Sequence, residues 1–224
     1  MRSFFVIFAG EMKIGVIIAM SKEYEIISGL LGGKSSGMLN GNEIVLSRSG
    51  IGKVNAAIKA VEMVSLHSPD CLISTGCAGG ADMDIQIMDV VASSQVAYYD
   101  VWCGEGNEYG QVQGLPSRFD ADPHLLEIAR AAGAKPGLIA TGDRFCTKDE
   151  EIEQIRSRFP DVKAVDMESC SIAQVCHLDN VPFMSLRVIS DSVGGHDRVL
   201  QYEDFWGSVT GKSTETVQRF LESL

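Results

Sequence analysis

The chain has 224 residues, 45% of them hydrophobic and 22% charged, enough apolar material for one substantial core and therefore for a single domain. Its 30 acidic against 19 basic side chains leave a formal charge of −11, which opposes a polyanionic partner, because nucleic-acid binding needs a clustered Lys/Arg footprint. A small-molecule ligand is the expectation, with no nucleic acid and no membrane.

The apolar run over residues 3–10 is interrupted by Glu11 and Lys13, lacks a cleavable polar boundary and is far too short for a membrane span. Met12 opens the segment that reads as the first strand. Residues 1–11 therefore read as an N-terminal extension, an alternative start or an extra strand piece, and residues 12–224 as the domain. Runs at 14–19, 71–74, 90–92, 137–140 and 183–189 are apolar without polar alternation, as strands covered on both faces should be. Helical periods lie between or after them at 53–66, 122–132, 148–158, 168–178 and 204–223. In the first of these Val54, Ala57, Ile58, Val61 and Val64/Ser65 form the apolar stripe. Strand alternating with helix predicts a mostly parallel, helix-covered sheet. Asn40-Gly41 between apolar residues predicts a hairpin and so makes the sheet mixed. The fold class is thus α/β, one domain with a central mixed β-sheet flanked by helices. The glycine-rich stretch 101–119 shows no period, and long irregular segments of this kind are usually functional or mobile. Six cysteines without a CxxC pair or a nearby His cluster read as free thiols of a reducing cytosol, with no metal and no cofactor implied.

In open α/β sheets ligands collect beyond the carboxyl ends of strands, and five segments with polar groups sit there. Met20-Ser21-Lys22-Glu23 ends the first strand, with Ser21 placed to cap a helix; Glu23 serves equally as a helix-dipole partner or as a site carboxylate. Ser49-Gly50-Ile51-Gly52-Lys53 is a Gly-rich turn into a helix whose N–H groups can receive an anion or a hydroxyl; its spacing is not that of a Walker loop. Ser74-Thr75-Gly76-Cys77-Ala78-Gly79-Gly80 reads either as a tight turn after a strand or as a place where backbone approaches a flat ligand. Asp166-Met167-Glu168 places two acids at a helix start, where they cap or where Glu168 grips vicinal hydroxyls. Arg187 interrupts an apolar strand that ends in Ser190-Asp191; a buried arginine needs a partner, so an ion-pair or functional role is favoured.

In order along the chain stand KIGVIIAM-SKE (13–23), SGIGKVNAA (49–57), STGCAGG (74–80), EYGQ (108–111), TGDRF (141–145), VDMES (165–169) and RVISD (187–191). Any one of these is weak, but the ordered set resembles the purine nucleoside phosphorylase/nucleosidase superfamily, and most closely the 5′-methylthioadenosine/S-adenosylhomocysteine nucleosidases. The resemblance runs from Met12 to the C-terminal helix. It implies an N-ribosyl hydrolase that releases adenine from a purine nucleoside, needs no cofactor and works as a homodimer. By motif match the water-activating base falls on Glu23 and the purine-protonating acid on Asp191. Met167 and Glu168 fall on the ribose, Phe145 and the backbone of Cys146 on the adenine, and Met20 and Ile51 on the ribose and 5′ substituent. Arg187 and Ser190 fall beside the acid, and Cys77, Ala78 and Gly79 along the purine.

The residue types suit that chemistry. Breaking a C1′–N9 bond passes through an oxocarbenium-like state that needs an acid on the leaving group and a base on the water. An acid with an unperturbed pKa of about 3.9 must sit in a dry pocket to carry a proton near neutrality, and that is expected around Asp191. Three departures stand out. Cys77 replaces a usual serine, Cys146 replaces a usual aliphatic residue, and residues 101–108, which in the family help close the neighbouring subunit's 5′ pocket, match poorly. Three rivals remain. One is a nucleosidase for another 5′-modified nucleoside such as futalosine, and another a phosphate-dependent phosphorylase, for which Arg48 is the available cation. The third is a nucleoside sensor without turnover.

Overall fold

The computed structural model describes residues 11–194, 197–208 and 212–224, so the boundary read at 1–11 lies almost wholly outside the described residues. Nine strands form one mixed sheet: β1 (Lys13–Ile18), β2 (Ser36–Leu39), β3 (Asn42–Arg48), β4 (Cys71–Gly80), β5 (Val90–Tyr98), β6 (Phe119–Asp120), β7 (Lys135–Thr141), β8 (Val162–Asp166) and β9 (Phe183–Asp191). Their order is β2-β3-β1-β4-β8-β7-β5-β6, with β9 bridging β4 in parallel and β5 antiparallel. The helices are α1 (Ser21–Gly29), α2 (Lys53–His67), α3 (Pro123–Ala132), α4 (Asp149–Arg158), α5 (Ser169–Asp179), α6 (Arg198–Ser208) and α7 (Lys212–Ser223).

The missing polar alternation has its cause in two buried faces. Ile14, Val16 and Ile18 of β1 pack with Ile27, Leu125, Phe220 and Leu221 on the α1, α3 and α7 side. Ile17 points the other way, into Ala56, Ala60, Met63 and Ile172 of α2 and α5. Asn40 and Gly41, at φ 48° and 93°, make the β2–β3 hairpin turn that the Asn-Gly pair called for. The cysteines are all free. Among the described residues no helix is long and apolar enough to cross a membrane.

Four expectations need correction. The segment 74–80 is not a turn: β4 runs through it to Gly80, paired with β9 along one edge and with β8 at Gly79 and Gly80. Its glycines answer to close approach, since a Cβ on Gly76 would lie 2.8 Å from both Glu23 and Arg187 and one on Gly79 would lie 2.6 Å from Arg198. Most of the stripe of α2 faces outward: Val54, Ile58 and Val61 are 69%, 53% and 50% exposed and only Val64 of the larger stripe residues packs on the core, while the small residues Ala56 and Ala60 let the opposite face close on the sheet. Ser21 is the first helical residue of α1 and does not cap it. The period at 204–223 is two helices. The first starts at Arg198, ahead of the period read from 204, where Asp197 accepts the N–H groups of Val199 and Leu200.

Candidate active site

A cavity of about 390 Å³ opens where β1, β4, β8 and β9 end. Of the thirteen residues singled out in the sequence, twelve line it: Met20, Glu23, Ile51, Cys77, Ala78, Gly79, Phe145, Cys146, Met167, Glu168, Ser190 and Asp191. The thirteenth, Arg187, is buried beneath the lining.

Glu23 reaches the cavity from the first turn of α1. Its Oε2 accepts the Met20 N–H at 3.0 Å, so it does satisfy a free donor of that helix start, while Oε1 accepts the Cys77 N–H of β4 at 2.8 Å. The two readings of this glutamate, cap and site carboxylate, are therefore compatible. Burial and the adjacent Glu23 carboxylate push the Cys77 thiol up, so Cys77 presents a neutral S–H to the cavity.

Glu168 sits in the N-cap position of α5. Its Oε1 accepts the N–H of Gly52, 3.0 Å away at the start of α2, so the anion received by the Gly-rich turn is one of the chain's own carboxylates. The next N–H, that of Lys53, goes to Asp143 at 2.8 Å. Burial pushes Glu168 up to about 7 against the pull of Arg187, with the neighbouring carboxylate of Asp166 adding to the rise.

Below these groups Arg187 binds Asp166 at 2.8 Å and approaches Glu168 at 3.7 Å. It also donates to Ser74 at 2.8 Å and Ser169 at 3.1 Å. Asp166 in turn accepts from the Thr141 hydroxyl at 2.6 Å and from the Ser169 N–H at 3.1 Å. One cation thus compensates two acids in a dry interior, the condition under which a buried charge is tolerated. Arg187 does not reach the cavity; it holds the floor.

Asp191 ends β9 and is 2% exposed. Burial pushes its carboxyl up, and Arg198 and the Ser190 hydroxyl, 2.7 Å from Oδ2, pull it down, with the net direction upward. The dry pocket expected around this acid is present. Phe145 stands at the mouth, its ring 5.3 Å from that of Tyr202, whose hydroxyl donates to the Met20 sulfur at 3.6 Å.

Sequence reasoning missed Arg144 and Tyr202 in the cavity wall, and Arg198 beside the acid. Arg144 lies inside the TGDRF segment and was open to notice. Tyr202 and Arg198 carry no comparable signal, because they belong to a helix whose start was misplaced.

The phosphorylase superfamily model matches residues 13–224. The 5′-methylthioadenosine/S-adenosylhomocysteine nucleosidase of Anoxybacillus flavithermus is 37% identical, over 95% of this chain and 99% of that protein. The protein of the same name from Chromohalobacter salexigens is also 37% identical, over 95% and 97%. Among solved structures, the Neisseria meningitidis enzyme of that name in complex with methylthio-immucillin-A is 36% identical with a TM-score of 0.87, covering 95% of this chain and all of that one. The Colwellia psychrerythraea enzyme in complex with adenine is 33% identical with a TM-score of 0.88, covering 96% of each chain.

Proposed function

The chain belongs to the 5′-methylthioadenosine/S-adenosylhomocysteine nucleosidases of the phosphorylase superfamily, and from that membership we propose a division of labour among its cavity residues. The reaction is hydrolysis of the N-glycosidic bond of 5′-methylthioadenosine or S-adenosylhomocysteine, releasing adenine and the 5-thioribose product. Glu23 is the base that takes a proton from water, and Asp191 is the acid that protonates purine N7 as the C1′–N9 electron pair moves onto the leaving group. Glu168 accepts the two vicinal ribose hydroxyls. Phe145 stacks on the adenine, which the backbone of Cys146 hydrogen-bonds. Met20, Ile51 and Met167 pack on the sugar and its 5′ substituent, Cys77, Ala78 and Gly79 lie along the purine, and Ser190 attends the acid. Arg187 acts through Asp166 and Glu168 and not on substrate. What carries this reading is the convergence of three buried carboxylates from three elements, α1, the start of α5 and the end of β9, on one cavity.

Adenine release from 5′-methylthioadenosine in phosphate-free buffer is the test. Turnover independent of phosphate, yielding free 5-methylthioribose, is expected; a phosphate requirement with a 5-methylthioribose 1-phosphate product would overturn the hydrolase reading. Run against pH, the same assay should show kcat/KM falling as the solution is acidified through about 7, because protonation of Glu168 removes an acceptor from the ribose hydroxyls. The Glu168→Gln variant should lose that limb.

The working form is a homodimer. Supporting it is the outward stripe of Val54, Ile58 and Val61 on α2, with Ile51 and Trp102 also exposed, an apolar surface of the kind that marks an interaction site. Sedimentation should return twice the mass of the chain, and a monomer at micromolar concentration would reject the assignment. A reducing cytoplasmic setting fits six free cysteines.

A further inference from the structure

Arg198 opens α6 and is 3% exposed, with Nη2 at 2.5 Å from Asp191 Oδ1 and donating to the Gly80 carbonyl at 3.1 Å. Its Nη1 lies 3.6 Å from Asp149, and none of Nη1, Nε and Asp191 Oδ1 has a hydrogen-bond partner among the described residues, so Arg198 holds Oδ1 by charge. A cation buried with two of its nitrogens unsatisfied is a poor stabilising device, because desolvation outweighs so partial a compensation. Its close charged contact is the proposed catalytic acid, and Gly79 lacks the Cβ that would exclude it.

We propose that Arg198 is a positioning residue for the acid: it claims Asp191 Oδ1 and so confines the transferable proton to Oδ2, the oxygen beside Ser190. This rests on the reading of Asp191 as the acid. A proton on Oδ1 would face the guanidinium and is repelled from it. On Oδ2 it meets the Ser190 oxygen at 2.7 Å, while that hydroxyl has a second acceptor in the Ala78 carbonyl at 3.2 Å. Before reaction Ser190 donates to Ala78 and leaves Oδ2 protonated. As the Oδ2–H bond breaks and the N7–H bond forms, the Ser190 hydroxyl turns to donate to the new carboxylate. The other groups facing Asp191 are Asp149 at the start of α4, whose negative charge opposes ionisation, and Tyr202 one turn along α6; β4 contributes only the backbone of Gly79 and Gly80.

The test is the pH profile of kcat/KM, with kcat measured alongside, in Arg198→Met and Arg198→Lys, with Asp191→Asn as control. Removing an opposite charge at this range raises the proton affinity of a carboxylate by about 1 to 3 units, so in Arg198→Met the basic limb should move up by that amount and kcat should fall, with the acid limb from Glu168 unmoved. Arg198→Lys should return the basic limb toward its original position. If Arg198→Met does not fold, Arg198→Gln, which also lacks the charge, carries the same test. A basic limb that stays in place in the neutral variant, with activity lost evenly across pH or not lost, overturns the proposal. Should Asp191→Asn retain activity, the reading of the acid fails as well; should it lose activity while the limb of Arg198→Met is unmoved, only the role of Arg198 fails.

Discussion

Asp191→Asn is expected to lower kcat by about 10²- to 10⁴-fold, the usual contribution of one positioned proton transfer. Asparagine keeps the shape of the side chain and an oxygen for Arg198 Nη2, but has no proton to give N7. The loss should fall on kcat more than on KM, since the missing interaction exists only as the bond breaks. The variant must be shown folded, because the amide must keep its oxygen toward the buried Arg198 and its NH2 toward Ser190, as the neutral carboxyl did. Far-UV circular dichroism alongside adenine release separates the two effects. Glu23→Gln should show a loss of the same order. One amide oxygen can still accept from Cys77, but the amide NH2 then confronts the N–H of Met20. Wild-type turnover in both variants would remove the assignment of acid and base.

Arg187→Met is expected to destabilise the fold by about 3–5 kcal/mol, the cost of leaving a buried charge without its partner. Asp166 loses a contact of 2.8 Å, Glu168 loses its cation, and the hydroxyls of Ser74 and Ser169 lose a donor. For a chain of this size each kcal/mol corresponds to about 2–4 °C in Tm, so a fall of about 6–20 °C should be visible by calorimetry. The surviving acids would be driven toward their protonated forms. Ribose binding should weaken in the part of the population that remains folded, because Glu168 then holds a proton near neutral pH. A Tm within about 2 °C of the parent would mean that the ion pairs contribute nothing net.

What could be read in the sequence and what could not divide along physical lines. The strands of the central sheet were legible because both their faces are buried, and Asn40-Gly41 because it admits only one kind of turn. The cavity lining was legible through ordered motifs at the strand ends, where twelve of the thirteen chosen residues meet. Arg187 was readable as paired but not as hidden, since a sequence shows that an arginine is costly in a strand and not which side of a floor it occupies. The outward face of α2 was misread because Val54, Ile58 and Val61 are more hydrophobic than Ala56 and Ala60, and hydrophobicity alone assigns the larger side chains to the interior. Strand β8, five residues with a lysine in it, and the two-residue β6 are too short to give a period.

Helix α2 has one end in the chemistry and one face on the outside. Its first N–H groups anchor Glu168 and Asp143, while three turns of its outer surface present Val54, Ile58 and Val61. Whatever docks on that surface and whatever fills the cavity press on the same rigid rod. By thermodynamic reciprocity, if occupancy of the cavity tightens association on the outer face, association must tighten occupancy by the same factor. If what docks there is a second copy of the chain, the affinity for nucleoside would depend on protein concentration, through the helix whose first N–H groups hold the Glu168 carboxylate.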